Sequence, residues 1–456
     1  MSNFQHRRVT IFGLGRHGGG VAAARFLARR GARVTISDGA PAESLAESLH
    51  ALRGVPIEGF SLGGHRATDF DEAELVVVNP AVRPDNPWLR QIDELGIPRT
   101  TEIELFLDHC PAFVVAVTGS NGKSTTASMI HHLLQASGVR SWLGGNIGGS
   151  LLDELPQIRA DDRVVLELSS FQLARIAGLA RPIEVAVILN CTPNHLDWHG
   201  DFANYRHAKQ RLLDLQSPSG KALLGDATVA AWRPMVRGAL LVPLHDHAIP
   251  PLKLDAPHQR FNAACAASAA LAAGATEHSI AALQHFRGLP HRLQLVATYR
   301  EIRFVDDSKS TTPDATRAAL RAVAGPLWLL AGGDAKRADL APLGADLVRY
   351  TAGVACFGAA GRTLWGVLRD VDAAFPCACH STLAEALDWC WNRAARGDAI
   401  VLSPACASHD QYVDYVARAA DFRAQVQRIG SVTAPGRRRS DREICSPPET
   451  PKSSRT

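Results

Sequence analysis

Phe113-Val114-Val115-Ala116-Val117-Thr118-Gly119-Ser120-Asn121-Gly122-Lys123-Ser124-Thr125 is the stretch on which the fold turns. Its first five residues are the apolar run of a buried strand. After the glycines, Met129, Ile130, Leu133 and Leu134 fall on one face of a helix. A glycine loop between a strand and a helix lets backbone N–H groups and a helix N-terminus wrap phosphate groups. Glycines at 119 and 122 allow the backbone to approach the anion. Lys123 is placed to neutralise the outer phosphates, and Ser124 can offer its hydroxyl to magnesium. The loop departs from the strict Walker spelling, because Val117 stands where that pattern has its first glycine. The bland alternative is a plain glycine turn before a helix. A phosphate loop implies a nucleotide and leaves the reaction open.

Outward from this loop, strand and helix signals alternate along the chain in three blocks. In the first, residues 9–12 read as a strand, 21–30 as an amphipathic helix, and 34–37 and 75–79 as further strands. The second block holds strands at 113–117, 164–168 and 185–190 and an alanine-rich helix at 261–274. Gly288-Leu289-Pro290 precedes the third, with strands at 302–305, 327–331, 354–357 and 399–402. Short β-branched runs separated by helices predict α/β domains built on parallel sheets, Rossmann-like at each end with a P-loop-type domain in the centre. The expected divisions are 1–100, 101–290 and 291–432. From 433 to 456 the composition turns to Pro, Ser, Arg and Glu, and a disordered tail is expected there.

At 456 residues the chain is too long for one ordinary domain, and its 46% hydrophobic content suffices for several cores. The formal charge of +4 is small for this length and does not indicate a nucleic-acid binder. Much of the excess lies in Arg437, Arg438, Arg439 and Arg442. No apolar run is long enough to cross a bilayer, and the first residues lack the pattern of a secretory signal. Nine cysteines, an odd number, argue against a disulfide framework and for a reducing, cytoplasmic compartment. Cys377-Ala378-Cys379-His380 has no second pair at zinc spacing and reads as ordinary thiols.

Further motifs follow the phosphate loop in order. They are Glu167-Leu168-Ser169-Ser170-Phe171-Gln172-Leu173, Asn190-Cys191-Thr192-Pro193-Asn194-His195-Leu196-Asp197 and Tyr205-Arg206-His207-Ala208-Lys209. Leu289-Pro290-His291-Arg292, Asp307-Ser308-Lys309-Ser310-Thr311, Gly332-Gly333-Asp334-Ala335-Lys336 and Ser403-Pro404-Ala405-Cys406-Ala407-Ser408 complete the set. In spelling and order, over roughly residues 7–430, the chain resembles the Mur ligase family, which includes folylpolyglutamate synthases. The glutamate-ligase form of the Glu167 motif and the Ser-Pro-Ala-Cys-Ala-Ser run favour glutamate addition. The resemblance implies a ligase that uses ATP to join D-glutamate to UDP-N-acetylmuramoyl-L-alanine through an acyl phosphate, in peptidoglycan synthesis. L-Glutamate is the nearest rival substrate.

The resemblance implies roles residue by residue. Lys123, Glu167, His195 and Lys209 would be catalytic, with two Mg²⁺ ions held by Ser124, Glu167, His195 and a carbamylated Lys209. ATP would be bound by Gly119, Ser120, Asn121, Gly122, Lys123, Ser124, Thr125, Asn262, Arg292, Asp307 and Lys309. The UDP-sugar side would be held by Gly15, Arg16, His17, Asp38, Asn79, Asn146 and Ser169, and the glutamate carboxylates by Thr311, Lys336, Ser408 and Tyr415. The third block would be mobile and the protein a monomer, with no nucleic-acid partner and no membrane insertion. The residue types suit this chemistry. An acid in an apolar strand is costly unless it serves a ligand, and cations and hydroxyls suit paired carboxylates. Alone, His195 would read as an ordinary hydrogen-bonded histidine, Lys209 as a solvated helix lysine and Lys336 as a surface lysine.

Gly13-Leu14-Gly15-Arg16-His17-Gly18, with Asp38 beyond, also matches a dinucleotide fingerprint. Read alone it suggests an NAD(P)-dependent oxidoreductase, but that reading gives the loop at 118–125 no task. A catalytically dead nucleotide-binding scaffold is the third class, and the intact Lys123, Glu167, His195 and Lys209 set speaks against it. Departures from the family are Arg16-His17 in the glycine turn, Asn79-Pro80-Ala81, Gln259 and Ala419. Asp85-Asn86-Pro87-Trp88 is a decoy for the diaminopimelate and lysine ligases, since it lies in the wrong block and ends in tryptophan.

Overall fold

The computed structural model describes residues 4–433 except His17, residues 253–256, Arg287 and residues 336–338. The expected tail therefore lies outside the described residues, apart from Thr433 at the end of the helix Tyr415–Thr433. The chain divides into two compact units, one ending at Leu289 and the other beginning at Pro290.

The first unit holds two sheets. One consists of β1 (Arg8–Phe12), β2 (Arg33–Asp38), β3 (Ile57–Leu62), β4 (Leu75–Val78) and β5 (Arg99–Thr100), in the order β3-β2-β1-β4-β5. The other consists of β6 (Phe113–Thr118), β7 (Ser141–Gly145), β8 (Arg163–Glu167), β9 (Ile183–Ile188), β10 (Gln216–Leu224) and β11 (Ala239–Leu241), in the order β11-β10-β9-β6-β8-β7. All their pairings are parallel. The near-continuous apolar strands β6, β8 and β9 are what a sheet covered on both faces requires. One face is covered by the helices Lys123–Ala136 and Pro257–Ala272. There Ile130, Leu133, Ala263 and Ala267 pack on Val115 and Val187. The alanines of the second helix let it lie close. The opposite face shares a single apolar cluster with the first sheet, in which Ala116, Leu166 and Leu212 join Ile11, Phe26 and Phe106. This arrangement seats the loop after β6 between two neighbours, with Glu167 level with Val117 and Ile188 level with Thr118.

The second unit is built on β12 (Gln294–Tyr299), β13 (Ile302–Asp306), β14 (Leu327–Gly332), β15 (Gly353–Phe357), β16 (Cys377–His380) and β17 (Ala399–Ala405). Their order is β12-β13-β17-β14-β15-β16. The sheet is parallel except for β12, which pairs antiparallel with β13. Alternating strands and helices did not announce this hairpin, because its turn carries no usual signal. Arg300 (φ 50°) and Glu301 (φ 61°) take the left-handed positions that Asn-Gly commonly fills.

Candidate active site

The loop after β6 is held in shape from its sides. Ser120 N–H donates to the Asn190 carbonyl at 3.0 Å, and Asn121 N–H donates to Asn190 Oδ1 at 2.8 Å. The Asn190 amide returns a bond to the Asn121 carbonyl at 3.2 Å. Ser120 Oγ meets the Thr192 carbonyl and the Tyr205 hydroxyl, each at 2.9 Å. Gly122, at φ 82°, opens the helix Lys123–Ala136, and a Cβ there would strike the Asn262 side-chain amide. Asn262, expected on the adenine side, is thus fitted against the loop by a gap that only glycine leaves. Lys123 Nζ donates to the Ser120 carbonyl at 3.1 Å, and Ser124 is buried in the first turn.

Two buried charges stand behind the loop. Lys209, on the helix Phe202–Asp214, is 1% exposed and donates to the Gly119 carbonyl at 2.7 Å. Its Nζ lies 4.8 Å from the Tyr205 ring centroid. Burial pushes its pKa well down, and the nearby Lys123 charge adds to the effect. Glu167, at the end of β8, is also 1% exposed. Its Oε1 accepts from Asn146 Nδ2 at 3.1 Å, while its buried Oε2 has no hydrogen-bond partner among the described residues. An orphaned carboxylate oxygen at such depth is costly unless a cation completes it. Among the described residues no group of three His, Cys, Asp or Glu side chains assembles into a metal cage. Mg²⁺ does not need one, since it is commonly held by one or two carboxylates, waters and the substrate's phosphates. Glu167 Oε2 and the Ser124 hydroxyl fit that pattern.

His195 is exposed, at a left-handed φ of 54°, and its ring lies 4.8 Å from that of Phe171. Asn146, expected on the UDP-sugar side, is hydrogen-bonded to Glu167. Ser169 caps the helix Ser170–Arg175 in a reciprocal box with Gln172.

At the first sheet, Gly15, Asp38 and Asn79 come together. Gly15 N–H donates to Asp38 Oδ2 at 3.0 Å, and Asn79 Nδ2 donates to the Gly13 carbonyl at 3.1 Å. Arg16 is exposed, and His17 lies outside the described residues. In the second unit, the Asp307 carboxylate accepts from Ser403 Oγ at 2.7 Å and from Leu293 N–H at 3.2 Å. Burial raises its pKa to about 6, with Arg292 among the groups that hold it back. Lys309 Nζ is 5.7 Å from the Tyr415 ring centroid. Thr311 N–H donates to the Lys309 carbonyl at 3.0 Å, and Ser408 is 2% exposed. Lys336 lies outside the described residues.

Sequence reasoning assigned no role to the residues that hold these groups in place. Asn190 and Tyr205 were visible only as letters within motifs. Arg418 carries no motif, yet it is fully buried and joins two loops. Its guanidinium donates to Ser308 Oγ and O and to the Cys406 and Ala407 carbonyls, at 2.9–3.2 Å. Arg423, His291 and Asp306 form a second knot, with Arg423 Nη2 3.0 Å and His291 Nδ1 2.9 Å from Asp306 Oδ2. The helix carrying both arginines is rich in Arg, so spacing alone did not mark either as buried.

Comparison with known proteins agrees with this layout. Residues 7–100 match the MurD-like N-terminal domain of Mur ligases, 117–239 the Mur ligase middle domain, and 291–406 the Mur ligase glutamate ligase domain. The UDP-N-acetylmuramoylalanine–D-glutamate ligase of Acidobacterium capsulatum is 34% identical over 449 residues, covering 91% of this chain and 95% of that protein. The enzyme of the same name from Roseiflexus is 34% identical over 463 residues, covering 92% and 98%. Among solved structures, a UDP-N-acetylmuramate–alanine ligase, MurC, from Thermotoga maritima has a TM-score of 0.57 at 19% identity, covering 94% of this chain and all of that one. Such a likeness bears on the fold alone. With three sheets in this order, a tethered phosphate loop backed by Glu167 and Lys209, and relatives matching nearly end to end, the chain belongs to the Mur ligase family, in its MurD-like branch.

Proposed function

We infer that this chain is an ATP-dependent amide ligase of the cytoplasm that joins D-glutamate to UDP-N-acetylmuramoyl-L-alanine in peptidoglycan synthesis. The full-length likeness to ligases named for that reaction supports the substrates. The observation that carries the chemistry is the orphaned Glu167 Oε2 beside a lysine-bearing phosphate loop.

A carboxylate and an amine do not condense unaided in water, so the carboxylate must first gain a leaving group. The γ-phosphoryl group of ATP passes to an oxygen of the alanine carboxylate and ADP departs. The glutamate amine then attacks the acyl carbon, the C–N bond forms, and phosphate leaves with the carboxylate oxygen as the amine loses a proton. Lys123 would sit on the outer phosphates, with Gly119 to Thr125 cradling the chain and Asn262, Arg292, Asp307 and Lys309 completing the nucleotide site. Bound magnesium would offset the repulsion between the phosphates and the carboxylate; Ser124 and Glu167 would hold one ion, and His195 with Lys209 a second.

Lys209 enters this scheme through its burial. An amine must be unprotonated to add CO₂, and the depressed pKa provides that form. The carbamate would replace a cation by an anionic oxygen ligand. Residues 1–100 would hold the UDP group, with Gly15, Arg16, Asp38 and Asn79 lining it, and 101–290 the ATP. Within 291–432, Thr311, Lys336, Ser408 and Tyr415 would hold the glutamate.

Phosphate release, measured with ATP, magnesium and UDP-N-acetylmuramoyl-L-alanine, is expected with D-glutamate and not with L-glutamate. Release with the L-form alone overturns the substrate, and release with neither overturns the ligase.

A further inference from the structure

The parallel strands β14, β15 and β17 end on the same side of the second unit's sheet, and the loops that leave them are laced to one another. Asp334, after β14, and Ala407, after β17, exchange backbone hydrogen bonds at 2.9 Å each way. Ala360 N–H, after β15, donates to the Gly333 carbonyl at 2.7 Å. The third link joins the loop after β17 to the loop after β15, and of the three it alone runs through a side chain. Asp410 Oδ2 accepts from the Ala359 N–H at 2.8 Å.

Two features fit that carboxylate to its place. Gly358, at φ 68°, leaves the notch that holds it, and a Cβ there would strike Oδ2. Ala359 stands just before the helix Gly361–Val371, so the carboxylate meets the positive end of a helix dipole. The loop it pins carries two of the four residues given above to glutamate, with Ser408 shortly before Asp410 and Tyr415 after it. The Ser408 carbonyl accepts from Gln411 N–H at 3.2 Å and from Tyr412 N–H at 2.8 Å, so the chain turns back with Asp410 near the tip. Gln411 Nε2 gives the same turn a second hold, on the Ser381 carbonyl at 2.7 Å. Loss of the Asp410 carboxylate would therefore loosen the turn without freeing it.

We propose that Asp410 is a positioning residue for the amino-acid substrate: by pinning this turn to the Ala359 amide, it fixes where the Ser408 hydroxyl stands to receive a carboxylate of glutamate. The inference rests on the ligase reading above and deepens it. An acid left loose in such a loop would repel a substrate that carries two carboxylates. This one is bound to a backbone donor at a helix start, a charge-assisted hydrogen bond that holds the loop.

The test is steady-state phosphate release by the full chain, with KM measured for ATP, UDP-N-acetylmuramoyl-L-alanine and D-glutamate in turn. Asp410→Ala is expected to raise KM for D-glutamate about tenfold, with kcat within about twofold and KM for the other two substrates unchanged. Asp410→Asn keeps an acceptor for the Ala359 N–H and drops the charge that acts on the buried Arg418, so it isolates the hydrogen bond. It should bring KM for D-glutamate back to within about threefold of the unaltered chain. A KM for D-glutamate that Asp410→Ala leaves in place, or a rise shared equally by ATP, overturns the positioning role. An Asn variant no better than the Ala variant overturns it as well. Each of those results leaves the ligase reading standing. Absence of D-glutamate-dependent release from the unaltered chain would instead overturn that reading, and this inference with it.

Discussion

Two glycine loops in the first unit open their helices in the same way and differ in chemistry. Each follows the central strand of a parallel sheet, and each opens a helix on a left-handed glycine, Gly18 at φ 83°, ψ −19° and Gly122 at φ 82°, ψ −13°. The first loop carries Arg16 on its exposed side, and the groups packed behind it are acids. Asp38 accepts from the Gly15 N–H, and Glu102 lies beside the next turn, where a Cβ on Gly19 would be 3.8 Å from its Cγ. Around the second are Lys123 and the buried Lys209, with the half-satisfied Glu167. The backbone at the helix start is thus shared, and reactivity is decided by what stands behind it. That is why the glycine fingerprint of the first loop suggests a dehydrogenase when read alone and says little in context.

The largest effect that would sharpen this contrast is expected at Lys209. Lys209→Ala should lower the rate of phosphate release about a thousandfold, and added bicarbonate should not restore it. A near-normal rate would make the buried lysine structural and remove the main difference between the loops. Glu167→Gln keeps the shape and removes the charge. It should raise the magnesium concentration needed for half-maximal turnover by roughly 10- to 100-fold, read from a magnesium titration.

The glycines themselves come next. Gly18→Ala meets no atom within 4 Å and should cost only the left-handed strain, about 1–2 kcal/mol. Gly122→Ala carries the same strain and also drives a Cβ into Asn262, adding about 1–3 kcal/mol for overpacking. Urea unfolding of the two variants should therefore rank Gly122→Ala below Gly18→Ala, and equal losses would mean that the Asn262 fit is unimportant. The last effect is electrostatic. Burial raises the Glu102 pKa from 4.5 to about 7, with a hydrogen bond from Ser150 opposing it. In that window the folded chain keeps a proton that the unfolded chain releases, so stability falls as pH rises through it. Glu102→Gln should flatten this slope in urea midpoints measured across the same range.

The sheets were largely legible because their strands are apolar runs broken by helices, a pattern that only sheets buried on both faces demand. β12 escaped because its turn uses Arg300 and Glu301 in place of the customary residues. At the site, the groups that spell recognisable motifs could be read from order alone. The groups that fix their positions could not. Arg418 looks like one of many helix arginines until four hydrogen bonds to two distant loops are seen. Asn146 reads as a ligand contact, and only the fold shows its amide on Glu167. Burial and long-range pairing decide such roles, and neither has a local signature.

The reciprocal amide pairing of Asn121 with Asn190 spans 69 residues of chain and is made by the protein's own groups. It restrains the loop, and each such restraint lowers the share of nucleotide affinity that goes into quieting a floppy segment. Resistance to inhibitors should then be slow to arise at the loop itself, because nearly every change there also unpicks the clasp on which the rest of the pocket is hung.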